Sequence, residues 1–266
     1  MMTDPELAQN ARTALACLDL TSLNDTDSEA DIAALCEKAR SPSGHPAAVC
    51  VWPRLAAFAR TQVPPQVSVA AVANFPHGSL DVPAAVRDTD AIVQAGAQEV
   101  DVVLPWRAVL AGDLQGAAQV LRAVRRACEG RVLKVILESG NLADPDVIRA
   151  ASHLALDEGA DFLKTSTGKS GTGATPEAAR VMLQVIHERS TAPGPVAGFK
   201  ASGGVRKVAD AAVYIALVRD LLQVAEVGPR VLRIGASGLL DDIRATLGQA
   251  SDLHSPPPSS SRPSTY

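Results

Sequence analysis

Short apolar runs alternate with longer amphipathic segments along most of the chain. Eight of the short runs are apolar or rich in β-branched residues and have the length of strands, at residues 17–20, 48–52, 67–73, 99–104, 132–138, 161–165, 196–200 and 231–234. Strands that alternate with helices predict an α/β fold with a parallel sheet, and eight is the number of strands that closes a barrel. We therefore predict a single-domain (β/α)8 TIM barrel. An open doubly wound sheet is the alternative, because periodicity does not report closure.

The segments between the predicted strands begin with residues that cap helix N-termini. Ser28 and the stretch 79–81 precede two of these segments. Asp144-Pro145 and Thr175-Pro176 precede two more, each with proline at the first helical position. These starts agree with helices that connect successive parallel strands.

The end of the chain changes character at about residue 250. Residues 255–264 read Ser-Pro-Pro-Pro-Ser-Ser-Ser-Arg-Pro-Ser, which cannot continue a helix and has almost nothing to bury. We therefore predict a barrel over residues 1–249 and a flexible Pro/Ser-rich tail over residues 250–266, which ends in Tyr266.

Composition and charge narrow the function classes. The 266 residues suit one α/β barrel or two small domains, and a net charge of −4 gives no basic surface for nucleic acid. No apolar run reaches the ~18 residues needed to cross a bilayer, and the acidic N-terminus is no signal peptide, so we expect a cytoplasmic protein without a membrane partner. The four cysteines include no CxxC pair and the five histidines show no metal-ligand spacing. We therefore expect reduced thiols and no metal site.

Charged residues fall on the inner faces of the predicted strands, since alternate residues of a strand point to the same side. This parity places six of them at or near strand ends: Asp19, Asp101, Lys134, Glu138, Lys164 and Lys200. The three acids balance the three lysines, and mutual pairing relieves much of the cost of burying them. Because TIM barrels carry their chemistry at the carboxyl ends of the strands, the set predicts an active site there. As alternatives, any one charge could reach solvent, and Lys134 and Glu138 could form a purely structural ion pair.

Two of the lysines indicate a carbonyl substrate. A lysine attacks a carbonyl only as the free amine, whereas at pH 7 well under about 0.1% of an unperturbed lysine is neutral. Two ammonium groups about 4 Å apart, at an effective dielectric constant of about 20, repel by roughly 4 kcal/mol, or about three pK units. Lys164 and Lys200 end adjacent strands, and their spacing leaves open which one is the nucleophile. Asp101 is the candidate carboxylate for moving protons.

Three glycine-rich turns follow the last three predicted strands, at residues 168–173, 203–206 and 235–238. Glycines let backbone N–H groups approach an anion, and in TIM barrels the loops after strands seven and eight often bind phosphate. Ordinary tight turns are the alternative for each cluster taken alone. Gly168-Lys169-Ser170 matches the end of a nucleotide P-loop, but Leu163 stands where that motif requires glycine, so the P-loop is excluded.

Five segments carry a family resemblance. They read Leu-Asp-Leu-Thr at 18–21, Val-Ala-Asn-Phe-Pro-His-Gly at 72–78, Glu-Val-Asp-Val-Val at 99–103, Asp-Phe-Leu-Lys-Thr-Ser-Thr-Gly-Lys at 161–169, and Gly-Phe-Lys-Ala-Ser-Gly-Gly-Val-Arg at 198–206. In order and spacing they resemble the deoxyribose-phosphate aldolase family, from about residue 15 to residue 247. The combination of the last two segments is highly specific for that family.

The resemblance implies a barrel, often a homodimer, that reversibly cleaves 2-deoxy-D-ribose 5-phosphate into D-glyceraldehyde 3-phosphate and acetaldehyde. It implies no cofactor, and its partners are a sugar phosphate and aldehydes. Lys164 matches the Schiff-base lysine, Lys200 the lysine that perturbs it, and Asp101 the proton-relay acid. Residues expected to bind the substrate or its phosphate are Gly171, Gly203, Gly204, Gly235, Ser237, Lys169, Asp19, Thr21 and Lys134.

Two features depart from the family or stay open. Some relatives have two serines in the last phosphate turn, where this chain has Ser237-Gly238, so an unphosphorylated acceptor is an alternative substrate. Some relatives end in a mobile tyrosine that helps proton transfer; Tyr266 matches it, and an inert chain end is the other interpretation. A barrel that only binds a sugar phosphate is the non-enzymatic alternative. The presence of both site lysines and Asp101 disfavours it.

Overall fold

Eight parallel strands close into a barrel in the computed structural model, which describes residues 4–40, 43–190 and 196–252. The strands are β1 Leu18–Thr21, β2 Ala48–Val51, β3 Ser68–Ala73, β4 Glu99–Val103, β5 Val132–Ile136, β6 Phe162–Lys164, β7 Gly198–Ser202 and β8 Leu232–Ala236. Strand β1 pairs with β2 on one side and with β8 on the other, which closes the sheet. The predicted (β/α)8 barrel is confirmed, and the open-sheet alternative is wrong.

Helices connect the strands around the outside of the barrel. Within the described ranges they are α1 Asp4–Ala16, α2 Glu29–Lys38, α3 Pro53–Gln62, α4 Val82–Gln94, α5 Trp106–Leu110, α6 Leu114–Ala127, α7 Ser139–Leu142, α8 Pro145–Asp157, α9 Pro176–Ser190, α10 Val208–Leu222 and α11 Leu239–Asp252. The predicted starts are confirmed, because the side chains of Ser28, Asp81, Asp144 and Thr175 each accept a hydrogen bond from a first-turn N–H. None of these helices is long and apolar enough to span a bilayer.

Three strands end two residues away from the predicted position, and most of the predicted tail lies outside the described residues. Strands β7 and β8 end at Ser202 and Ala236, each two residues beyond the predicted end. Strand β5 ends at Ile136 because Glu138 adopts a left-handed backbone, with φ of 58°, which stops the extended conformation. Helix α11 runs to Asp252, and the rest of the predicted tail, including Tyr266, lies outside the described residues.

The interior of the barrel is apolar on one side and charged on the other. Strands β2 and β3 contribute small apolar side chains, which with Leu23 form a cluster separate from the core between strands and helices: Ala48, Cys50, Ala70 and Val72. The remaining strands place charged groups inside, among them Asp101 on β4 and Lys200 on β7, both fully buried. The chemistry of the molecule is therefore concentrated in one half of the barrel.

At the amino-terminal end of the barrel, Phe162 of β6 packs closely against Gly198 of β7, its partner in the strand register. A Cβ at position 198 would lie 2.1 Å from Cε1 of Phe162, so only glycine leaves room for the ring. The guanidinium of Arg233 lies over the same ring, with its Cζ 5.5 Å from the ring centroid. Glycine at position 198 thus determines how Phe162 closes the floor of the barrel.

We expect Gly198→Ala to lower the free energy of unfolding by about 1–3 kcal/mol, because the added methyl group displaces the Phe162 ring. Urea denaturation monitored by circular dichroism measures the loss. Gly228→Ala is the matched control, since a Cβ there meets nothing within 4 Å, and its change should stay within about 0.5 kcal/mol. Equal effects of the two substitutions would contradict this account of the floor.

Candidate active site

Six charged side chains form a closed ring inside the barrel, in which acids and cations alternate. We call this set the charge ring; in order around it are Asp101, Lys200, Asp19, Arg233, Glu99 and Lys134, which contacts Asp101 again. Each member is at most 7% exposed. Because every ring carboxylate has a cation on both sides, the ring satisfies the usual condition for burying charge, namely that each charge is paired and hydrogen-bonded.

Asp101 is the contact between the charge ring and Lys164. Its Oδ1 accepts a hydrogen bond from Lys134 at 2.7 Å. Its Oδ2 accepts one from Lys200 at 2.7 Å and one from Lys164 at 2.8 Å. The two lysine nitrogens share a single oxygen atom, so they can lie no farther apart than the sum of those two distances. The close pair of amines that the sequence predicted is therefore present.

The two amines have different surroundings. Lys164 donates to one carboxylate, that of Asp101, whereas Lys200 donates to both Asp101 and Asp19. Burial lowers the pKa of Lys164 and the charge of Lys200 lowers it further, while Asp101 opposes both. Burial would also lower the pKa of Lys200, but the carboxylates of Asp101 and Asp19 outweigh it and raise that pKa. The geometry therefore favours Lys164 as the free amine and Lys200 as the ammonium.

Asp101 stays ionised among these cations. Burial alone would raise its pKa, yet Lys134, Lys164 and Lys200 hold that pKa well below the usual range of a carboxyl. An ionised carboxylate that touches both lysines can accept a proton from one and return it to the other. Its position between the two amines keeps Asp101 a candidate for moving protons.

Of the two interpretations of Lys134 and Glu138, the structural ion pair between them is wrong. Lys134 pairs with Asp101 and with Glu99, at 2.7 and 2.6 Å. Glu138 instead accepts hydrogen bonds from the backbone and hydroxyl of Thr167 and from the hydroxyl of Ser170. The left-handed backbone at position 138 is the reason, because it turns the side chain away from the inner face of β5 and toward the loop after β6.

Sequence reasoning missed Arg233 and did not count Glu99 among the site charges. The signal for Arg233 was available, because it lies two residues before Gly235 on the same strand and so faces inward with it. The signal for Glu99 was its shared face with Asp101. Both were harder to recognise because they enter at the amino-terminal end of their strands, away from the end where barrel chemistry is expected.

A cavity of about 380 Å³ opens at the carboxyl ends of β1, β6, β7 and β8. Of the predicted substrate residues, those on its lining are Thr21, Lys169, Gly203, Gly204, Gly235 and Ser237. Three lining residues lie two positions after a member of the charge ring on the same strand, which puts the cavity directly above the ring: Thr21, Ser202 and Gly235. Gly171, although among the described residues, does not line the cavity, whereas Gly168, three residues earlier, does.

The Lys-Thr-Ser-Thr segment fastens the end of β6 to its neighbours. The hydroxyls of Thr165 and Ser166 donate to the carbonyl of Ser202 at the end of β7, at 3.0 and 2.6 Å. On the other side, the hydroxyl of Thr167 donates a hydrogen bond to the carboxylate of Glu138, at 2.7 Å. These contacts fix the loop between Lys164 and the part of the cavity lining that begins at Thr167.

Tight glycine turns form part of the cavity lining. Gly203 and Gly204 have φ of 86° and 87°, a backbone conformation that residues other than glycine rarely adopt. A Cβ on Gly203 would lie 2.8 Å from the Ser166 hydroxyl, so this turn packs closely against the loop after β6. Lys169 and Arg206 add positive charge to the lining. An anion such as a phosphate group suits this wall.

The described residues contain no group of three or more histidine, cysteine or acidic side chains arranged to hold a metal ion. The polar side chains on the cavity lining include those of Lys169 and Arg206 and several hydroxyls. Two cations among groups that can donate hydrogen bonds suit an anion such as phosphate.

The asymmetry between the two lysines predicts different effects on stability. Lys200→Met leaves the buried carboxylates of Asp19 and Asp101 each short of a partner, so we expect a loss of about 3–5 kcal/mol. Lys164→Met removes an amine that shares one carboxylate, and the change should stay below about 1.5 kcal/mol. Urea unfolding at pH 7 measures both. Losses of equal size would show that Lys164 is held as firmly as Lys200.

Comparisons with known proteins agree with this geometry. The profile of the DeoC/LacD family of aldolases matches residues 13–240. A protein from Coccidioides immitis, provisionally assigned as a deoxyribose-phosphate aldolase, is 29% identical, with a TM-score of 0.76 over 88% of this chain and 87% of that one. An aldolase named QR15 is 28% identical, with a TM-score of 0.75 over 91% and 99% of the two chains.

A more distant structure shares the fold. It is a protein from Toxoplasma gondii ME49, provisionally assigned as a deoxyribose-phosphate aldolase, which is 23% identical with a TM-score of 0.84 over 94% of this chain and 98% of that one. The family profile covers the barrel from the end of α1 to the start of α11. The chain therefore belongs to the DeoC/LacD family of aldolases.

Proposed function

We propose that the chain is a class I, metal-independent deoxyribose-phosphate aldolase that reversibly cleaves 2-deoxy-D-ribose 5-phosphate into D-glyceraldehyde 3-phosphate and acetaldehyde. The observation that carries the proposal is Lys164: a buried amine with a lowered pKa, in contact with ionised Asp101, beneath a glycine-lined cavity. The family and the names of the relatives support the same reaction.

In the proposed reaction the nitrogen lone pair of Lys164 attacks C1 of the open-chain sugar. The carbinolamine that forms loses water to give an iminium ion, which then accepts the electron pair of the C2–C3 bond while the C3 hydroxyl gives up its proton. This releases D-glyceraldehyde 3-phosphate and leaves an enamine on Lys164. Protonation of the enamine at C2, followed by hydrolysis, releases acetaldehyde and restores the free amine.

Asp101 moves protons in this scheme, and Lys200 supplies a positive charge beside it. Asp101 is hydrogen-bonded to Lys164 and Lys200, so it can move a proton between the amine and the neighbouring ammonium. Its negative charge also stabilises the iminium ion, because it lies next to the nitrogen where positive charge develops. Lys200 keeps its own proton through two carboxylates and so stays a source of positive charge.

The cavity is the proposed binding site for the phosphate group of the substrate. Its turns at residues 203–204 and 235–238 offer N–H groups, and Lys169 and Arg206 offer positive charge. We propose Gly203, Gly204 and Ser237 as phosphate-binding positions, together with Gly168, which also lies on the lining. A homodimer and a cytoplasmic location stay predictions.

Borohydride trapping tests the nucleophile. Incubation with 2-deoxy-D-ribose 5-phosphate and borohydride should add the mass of a reduced adduct to Lys164, located by peptide mass spectrometry. Trapping should increase as pH rises through the pKa of Lys164, because only the neutral amine attacks, and it should level off below the ordinary lysine value of 10.5. Lys164→Met should trap nothing. A folded wild-type protein that traps nothing, or traps at another lysine, would refute the proposal.

The last phosphate turn gives a test of substrate class. A Cβ at position 238 would meet nothing within 4 Å, so Gly238→Ser can add a hydroxyl donor without a clash. We expect KM for the 5-phosphate to fall about two- to tenfold, the value of one added hydrogen bond, with kcat and the kinetics on 2-deoxyribose unchanged. Gly238→Ala is the matched control and should leave KM for the phosphate as it is. If wild type turns over 2-deoxyribose as efficiently as its 5-phosphate, the unphosphorylated substrate is favoured instead.

A further inference from the structure

Arg233 is a member of the charge ring that the proposed chemistry does not use. It is the second residue of β8, and its Nε donates to the carbonyl of Pro229 just before that strand, at 2.6 Å. Gly235, two residues later on the same face, lines the cavity. Arg233 is therefore one layer below the residues that would meet a substrate, and any effect it has on the reaction acts through other groups.

The contacts of Arg233 hold two acids together. Its Nη1 donates to Oδ1 of Asp19 at 2.7 Å and to Oε2 of Glu99 at 3.0 Å, and its Nη2 donates to Oε1 of Glu99 at 2.8 Å. Each acid in turn contacts a lysine, Asp19 with Lys200 and Glu99 with Lys134. The guanidinium thus completes the ring on the side opposite Asp101.

The charges around Lys164 sum to zero only when its amine is neutral. The groups that face Lys164 or Arg233 from the surrounding strands are Cys17 just before β1, Asp19 of β1, Cys50 of β2, Glu99 and Asp101 of β4, Lys134 of β5 and Lys200 of β7. Burial raises the pKa of the Cys17 and Cys50 thiols, which are thereby uncharged. Three carboxylates then balance three cations, Arg233 included, and a proton on Lys164 would leave one uncompensated positive charge in the barrel interior.

We propose that Arg233 and Glu99 are positioning residues whose opposite charges set the protonation of Lys164 without touching it. Arg233 completes the neutrality of the ring and so favours the free amine. Glu99 acts in the other sense and favours the ammonium. For its consequence on turnover the inference rests on the proposed aldolase, whereas its consequence for the titration of Lys164 does not.

Two single substitutions should therefore shift the pKa of Lys164 in opposite directions. Arg233→Met leaves the ring with one excess negative charge, which a proton on Lys164 neutralises, so the pKa of Lys164 rises. Glu99→Gln leaves one excess positive charge, so that pKa falls. The double variant Arg233→Met/Glu99→Gln restores the balance and should return the pKa of Lys164 close to the wild-type value. Arg233→Lys keeps the charge and should shift it less than Arg233→Met.

The titration of Lys164 can be observed directly. The chain has six lysines, so in protein labelled with ¹³C at lysine Cε each side-chain signal can be followed by NMR as pH changes. The signal missing in Lys164→Met identifies Lys164. We expect shifts of about one pH unit, which is about a tenfold change in the fraction of neutral amine, upward for Arg233→Met and downward for Glu99→Gln. The low-pH limb of kcat/KM on the sugar phosphate should move with the signal.

The opposite signs separate this role from a merely structural one. If Arg233 and Glu99 only stabilise the barrel, both single variants lower the melting temperature while the Lys164 titration stays where it is, or both move it in the same direction; either result overturns the inference. Should Arg233→Met not fold, Glu99→Gln and Arg233→Lys retain the test, because the sign for Glu99→Gln alone is decisive. A wild-type protein that lacks aldolase activity but shows the opposite shifts would refute the proposed function and leave the inference standing.

Discussion

The buried charges inside the barrel have to balance, and much of the site follows from that constraint. An isolated ion in a protein interior is too costly to keep, so the barrel can hold three carboxylates only with three cations that contact them. The charge ring meets this condition by alternation, and each ring carboxylate is placed between two cations. Lys164 is the additional group. Because the ring is already neutral, Lys164 is least costly to bury when it carries no proton.

The division of the barrel interior supports this arrangement. Strands β2 and β3 line their part of the interior with alanine, valine and cysteine, and the members of the charge ring are at most 7% exposed. Burial makes each charge interaction stronger than it would be in water, so the charge balance is more sensitive to the loss of any one member. The hydrogen bonds from Thr165 and Ser166 to Ser202 then keep the cavity wall in register with the lysines below. The fixed cavity wall and the apolar half of the interior together allow the charge ring to control the protonation of Lys164.

The sequence predicted the fold and the central contacts because both depend on local pattern. Strand and helix periods gave the eight strands, and parity within a strand put Asp101, Lys164 and Lys200 on inner faces, where they lie. The position predicted for the Glu138 side chain was wrong. Its backbone is left-handed, which reverses the facing expected from strand parity, and no sequence pattern predicts that backbone angle. Sequence reasoning failed also for Arg233, because the partner of a buried arginine is set by closure of the barrel between β1 and β8, residues more than two hundred positions apart.

Apolar side chains of similar volume would pack this interior at no greater cost, since replacing buried ion pairs by hydrophobic groups is often neutral or stabilising. The ring is therefore better explained by chemistry than by stability. Under the proposed reaction Lys164 passes from a neutral amine to a positive iminium ion, so the site must disfavour a proton on the nitrogen yet accept positive charge there one step later. Asp101 meets the second requirement locally, at 2.8 Å from that nitrogen. A phosphate dianion in the cavity above would add negative charge only when substrate is present, and so would stabilise the iminium without protonating the free enzyme.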